Sequence, residues 1–210
     1  MRYRRFGNSD LVVSEVGFGT WTLASDWWGA VDNKAGLLHA ALDAGITFFD
    51  TAPVYGSDGV GESLLAELLR THRDEIVLTT KCGYDIAAPR QFPGQSERPQ
   101  DWRPEAVRTQ LDASLRRLET DYVDLYQLHN VRLDPVLDDD LWAELERLAT
   151  RGRSGRSASR WVRRSAGSRR AWKRCDAVRS HRCRPCSTCW SKNPGGPSPR
   201  NLPSRRGAWG

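Results

Sequence analysis

Residues 46–51 read ITFFDT, residues 76–81 read IVLTTK and residues 122–128 read YVDLYQL. Each is a short run rich in β-branched and aromatic residues, the composition of a buried strand. A fourth run, VVSEVGFG at 12–19, precedes them and stops at a glycine. Segments of helical period lie between. Lys34 to Ala44 sets Leu37, Leu38, Ala41 and Leu42 on one face, with Gly45 as a C-terminal stop. Gly61 to Leu69 does the same with Leu64, Leu65, Leu68 and Leu69. After a Pro/Gly/Gln-rich loop, Pro104 suits a first helical turn, where its missing N–H costs nothing, and Val107, Leu111, Leu115 and Leu118 form a stripe. Leu137 to Leu148 makes a fourth helix. Four βα units in succession call for a parallel sheet with helices outside it.

Two architectures satisfy that order, a doubly wound sheet and a (β/α)8 barrel. A dinucleotide-binding doubly wound sheet carries a three-glycine turn after its first strand, and Gly17-Phe18-Gly19-Thr20-Trp21 lacks the third glycine. In a barrel the chemistry sits at the C-terminal strand ends. Asp50, Lys81 and His129 each end a different strand here, and Tyr55 lies in the loop after the second. Together these four types can build a proton donor for a carbonyl. Hydride reduction leaves an alkoxide that needs a proton, and a free tyrosine, with a pKa of about 10, gives one up poorly near neutrality. A lysine cation nearby favours the phenolate, an aspartate can hold the lysine, and a histidine can orient the carbonyl or share the proton. Position alone leaves a plainer alternative open: a loop cap at Asp50, a surface pair at Lys81 and a polar strand end at His129.

The stretches VSEVGFGTW (13–21), AGITFFDTAPVYG (44–56) followed by GVGESLLAELL, IVLTTKCG (76–83) and SLRRLETDYVDLYQLH (114–129) resemble the aldo-keto reductases. The resemblance covers about residues 1–148, four motifs in order. It implies a (β/α)8 TIM-type barrel, of which only the first four units are present. It also implies NAD(P)H-dependent hydride transfer between nicotinamide and a small carbonyl, alcohol or sugar-like substrate. The family's catalytic tetrad falls on Asp50, Tyr55, Lys81 and His129, with Tyr55 as general acid, Lys81 as modulator of its acidity, Asp50 as the lysine's partner and His129 as the substrate-orienting group. The implied cofactor is NADPH, with NADH as the variant, bound extended rather than on a Rossmann domain. Gly19, Thr20, Trp21 and Asp50 match the segment beside the nicotinamide ribose; a strand terminator is the plainer role of the glycines. The family's grip on the 2′-phosphate lies after its fifth strand and has no match here. The start, RYRRFGNSDLVVS, looks like the hairpin that closes the barrel bottom. Trp27 and Trp28 fit either the substrate mouth or a loop pair. His39 and His72 fit structural or solvated roles, and Cys82 a passive buried thiol.

Composition changes abruptly near Thr150. Residues 1–150 carry a net charge of −10 and residues 151–210 one of +16, with Val162, Val178 and Leu202 as the tail's only large aliphatics. Such a segment cannot bury enough apolar surface to offset the entropy of ordering it. Two domains follow: 1–150, the first half of a barrel, and 151–210, a disordered basic tail. The tail's Arg, Ser, Cys, Trp and Pro bias is that of a GC-rich gene read out of frame. Suitable codons for Arg151 to Arg163 (RGRSGRSASRWVR), shifted by two bases, read GQVRALGVSVGP, which resembles the family's fifth strand. Cys186 to Gly196, shifted alike, reads QHVLEQEPGR. A frameshift near Ala149–Arg151 is therefore expected, and with it a truncated, impaired chain that forms no stable active monomer. Cys183-x-x-Cys186-x-x-Cys189, with Cys175 and His181, has the spacing of a zinc cluster but no framework to orient it, so no metal is expected. The arginines attract nucleic acid without a reading motif, so no specific nucleic-acid partner is expected. The alternative to an enzyme is a non-catalytic fragment whose polybasic tail binds nucleic acid or zinc weakly. No apolar run reaches the ~18 residues of a membrane span and the start lacks a secretory pattern, so a cytoplasmic protein is expected.

Overall fold

The computed structural model describes residues 1–7, 9–25, 29–89 and 97–151. The expectations for the tail after Arg151, including its frame, disorder and cysteine cluster, and those for Trp27 and Trp28 lie outside the described residues.

The run VVSEVGFG forms two strands rather than one. β2 (Val12–Ser14) pairs antiparallel with β1 (Tyr3–Arg5), and β3 (Gly17–Gly19) starts the parallel sheet. Ser14 causes the break. Its hydroxyl donates to the Val16 carbonyl at 2.7 Å and accepts from the Thr47 amide at 2.9 Å, while its own amide donates to Thr47 Oγ1 at 3.1 Å. The chain turns there, and the hairpin is stitched to Thr47, just before the strand Phe48–Asp50.

The sheet continues through β4 (Phe48–Asp50), β5 (Val77–Cys82) and β6 (Leu125–Leu128), in the order β3-β4-β5-β6 with every pairing parallel. Between strands run α1 (Trp21–Ala24), α2 (Lys34–Asp43), α3 (Val60–His72) and α4 (Pro104–Leu118); α5 (Leu133–Leu137) and α6 (Asp139–Arg151) follow β6. This is a parallel βα array, the first part of a TIM-type barrel. Among the described residues β3 and β6 are the sheet's edges.

Strand alternation divides the side chains. Phe49, Leu78 and Tyr126 point to the helices and are buried with Leu65, Leu111 and Leu141. Each such side chain contributes about 1.5–3 kcal/mol by leaving water. The opposite face carries Phe48, Asp50, Thr79, Lys81 and Gln127. That face is less exposed and less apolar than ITFF and YVDLYQL suggest. Phe49 and Tyr126 belong to the other side, Leu125 is buried, and the hairpin's Phe6 covers Phe48 with ring centroids 5.4 Å apart. Leu37 departs from its expected place in the α2 stripe. The buried face centres on Leu38 and Ala41, which leaves Leu37 at the rim, 42% exposed.

Candidate active site

The register that aligns Gly19 with Asp50 and Asp50 with Thr79 sets Lys81 one side-chain layer further along β5, opposite Gln127. Lys81 therefore reaches back across the strand ends. Its ammonium donates to Asp50 Oδ2 at 2.7 Å and Oδ1 at 2.8 Å, and to the Thr51 carbonyl and the Tyr55 hydroxyl at 2.9 Å each. An ammonium has donors only, so the Tyr55 oxygen must accept, and its own proton is directed away from Lys81. The Lys81 side chain is 12% exposed, which shields this pair from water.

Tyr55 sits in a loop clamped at both ends. Its amide donates to the Ala52 carbonyl at 3.1 Å, and its carbonyl accepts from the Gly61 amide at 2.9 Å. Gly56 follows with φ +79°, and a Cβ there would lie 2.5 Å from the Ala24 carbonyl, so only glycine lets this loop rest on α1.

His129 lies one residue beyond β6. Its amide extends the ladder to the Cys82 carbonyl at 2.9 Å, and Gln100 Nε2 donates to its carbonyl at 3.3 Å. The ring stands edge-on to Tyr55, centroids 5.8 Å apart, and to Tyr84 at 5.0 Å. Burial, then the positive charge of Lys81, lowers its pKa from 6.5 to about 4. The imidazole is thus neutral at pH 7, able to donate from one nitrogen and accept at the other. Because the unfolded chain takes up this proton near pH 6.5 and the folded one only near 4, the site loses stability as pH falls between those values. Proton NMR of the imidazole C–H resonances, with the His129 line assigned by His129→Gln, should show His129 still neutral at pH 5. If the His129 line titrates near 6.5, this environment is wrong.

The residues singled out for the cofactor divide. Gly19 borders open space, with nothing within 4 Å of an added Cβ, and Trp21 at the start of α1 is 43% exposed. Thr20 is fully buried; its amide donates to the Asp50 carbonyl at 2.9 Å and its hydroxyl to Thr51 Oγ1 at 2.8 Å, so its side chain joins two loops. Gly19, opposite Asp50 in the sheet register, and Trp21 thus remain accessible from outside.

Sequence reasoning missed Gln127, whose Nε2 donates to Thr79 Oγ1 and, at 3.3 Å, to Asp50 Oδ1. The clue was available: a polar side chain two residues before His129 on the same strand face. Burial raises the Cys82 thiol to about 12, so it is no nucleophile near neutrality. His72 Nδ1 lies 2.8 Å from Glu75 Oε1 and its ring is edge-on to His39, away from the site. Among the described residues no group of three or more His, Cys, Asp or Glu is placed to hold a metal, and no helix is long and apolar enough to cross a membrane.

Four chemistry-bearing side chains converge at the C-terminal ends of parallel strands, as in a barrel oxidoreductase. The aldo/keto reductase family model matches residues 15–155, and the chain belongs to that family. It is 34% identical over 133 residues to the aldo-keto reductase YhdN of Bacillus subtilis, covering 61% of this chain and 38% of that protein. It is 39% identical over 135 residues to 6-dehydroglucose reductase of Novosphingobium aromaticivorans, covering 60% and 41%. Among solved structures, the holo form of the aldo-keto reductase AKR11C1 from Bacillus halodurans superposes with a TM-score of 0.62 at 32% identity, over 77% of this chain and 49% of that one. The glycerol dehydrogenase AKR11B4 from Gluconobacter oxydans does so with a TM-score of 0.58 at 33% identity, over 71% and 45%. The chain spans less than half the length of these relatives.

Proposed function

We propose that this site is built for reduction of a small carbonyl compound, or oxidation of the corresponding alcohol, with Tyr55 as the proton donor. The observation that carries this reading is the Lys81 ammonium held by Asp50 and bound to the Tyr55 oxygen at 2.9 Å. A hydroxyl that accepts from a cation has its own proton free for a substrate oxygen, and the cation stabilises the phenolate left behind. Neutral His129 donates a hydrogen bond to the same oxygen and orients the carbonyl. Gly19, Trp21 and Asp50 border the space for the nicotinamide end of NADPH, or of NADH; when bound, that cofactor supplies the hydride. The names of relatives that act on a dehydroglucose and on glycerol favour a small polyhydroxylated substrate. Aldehyde-dependent oxidation of NADPH tests the reading, and its absence in a chain continued in frame through a full barrel would overturn it.

The tail is read as out of frame. The family match stops at residue 155, close to the switch from net −10 to net +16, and codons can be chosen for 151–163 whose shifted reading gives a fifth-strand pattern. On that reading the 210-residue chain lacks the residues that grip the cofactor's phosphates. It should bind NADPH far more weakly than a full-length relative, and low-micromolar affinity by fluorescence titration would contradict this.

A further inference from the structure

We propose that the first turn of α3 is the positioning element that sets the separation of Tyr55 and Lys81, acting through the Gly61 amide and the Glu62 carboxylate. The inference rests on the catalytic reading above and concerns residues outside the tetrad. Gly61 and Glu62 are consecutive, and each holds one half of the acid pair. The Gly61 amide fixes the Tyr55 carbonyl at 2.9 Å, and a Cβ at Gly61 would lie 2.6 Å from the Tyr55 Cβ, so the loop touches the helix directly. Glu62 is fully buried, and Oε1 accepts from Thr80 Oγ1 at 2.6 Å. Thr80 immediately precedes Lys81 and points to the opposite face of β5. Holding Thr80 on the helix side fixes the strand's rotation, and with it the direction in which Lys81 leaves.

A carboxylate in that place is costly and needs a reason. Glu62 stands at the head of the apolar series Leu65, Ala66 and Leu69, where an aliphatic residue would pack without penalty. Its charge is balanced by Arg117 Nε at 2.7 Å from Oε2. A buried pair of this kind contributes little net stability compared with apolar residues of similar volume, whereas it does impose one geometry. Here that geometry joins α3, α4 and β5 behind the reacting atoms. Glu62 touches neither substrate nor Tyr55, so its effect passes through Thr80.

The test reads the Tyr55–Lys81 contact without turnover. The 210-residue chain carries five tyrosines. Labelled with carbon-13 at the phenol carbon, it is observed by magic-angle-spinning NMR, which reads dissolved and associated protein alike. Tyr55→Phe assigns the Tyr55 line, and Lys81→Met gives its position without the ammonium. Thr80→Val, which keeps the side-chain shape, and Glu62→Ala should move the line most of the way to the Lys81→Met position, while Glu62→Gln, whose amide keeps a hydrogen bond with Thr80 Oγ1, should hold it near wild type. If Lys81→Met shifts the line and Thr80→Val does not, the positioning role is wrong; Thr80→Val decides even if Glu62→Ala fails to fold. If the wild-type line is displaced from that of a free tyrosine and Lys81→Met leaves it unmoved, the catalytic reading fails and takes this inference with it.

Discussion

Tyr55→Phe should lower kcat for carbonyl reduction by about 10²–10⁴-fold, the range in which a positioned general acid contributes. The experiment belongs in a chain continued in frame past residue 150, where turnover can be measured. The substitution is a clean one here. Phenylalanine keeps the ring edge-on to His129 and removes a single oxygen, one of four acceptors around the Lys81 ammonium. Lys81 remains paired with Asp50, so the buried cation is not orphaned. Gly19 and Trp21 are untouched, so cofactor affinity should stay within a few-fold of the parent. Activity near the parent level would remove Tyr55 from the mechanism. A Tyr55→Phe variant that lost cofactor binding as well would mean that the phenol does more than donate a proton.

If residues 151–210 are out of frame, as proposed above, restoring the frame near codon 150 should have the larger effect on the protein as a whole. Among the described residues four parallel strands end in two edges, β3 and β6. An open edge presents unpaired N–H and C=O groups and acts as a template for association. A closed barrel removes both edges but takes about 250 residues. On the out-of-frame reading, the 210-residue chain should sediment as a mixture of assemblies and show no turnover. The frame-restored chain should sediment as one species, melt cooperatively and reduce small aldehydes. The expectation collapses if the 210-residue chain is itself monomeric, melts sharply and reduces a carbonyl with NADPH. Sequencing the gene across this codon would find the added or missing base, or show the frame to be intact.

The alternating order of strands and helices was legible because each element carries its own period. Ile46–Thr51 has the composition of a buried strand, and Val107, Leu111 and Leu118 repeat at helical spacing. Asp50, Lys81 and His129 were legible as polar residues at strand ends, and Tyr55, in the loop after β4, through the family resemblance. What escaped the sequence depends on contacts between distant segments. The hairpin break at Ser14 needs Thr47, more than thirty residues away. The Leu37 rim position depends on how α2 lies against its neighbours. Gln127 and Glu62 look like ordinary polar residues until β5 brings Thr79 and Thr80 beside them. Glu62 did leave a trace, a carboxylate on an otherwise apolar helical stripe.

The seating of Gly56 on Ala24 has a consequence for motion. One rim of the site carries Trp21, on α1; the other carries Tyr55, on the loop that Gly56 belongs to. Because the loop lies on α1 with no side chain between them, and the Thr20 hydroxyl is bonded to Thr51, the two rims form a single mechanical piece. A molecule that displaces Trp21 should therefore carry Tyr55 with it. Bulk introduced at position 56 should part that piece and let Tyr55 move relative to Trp21.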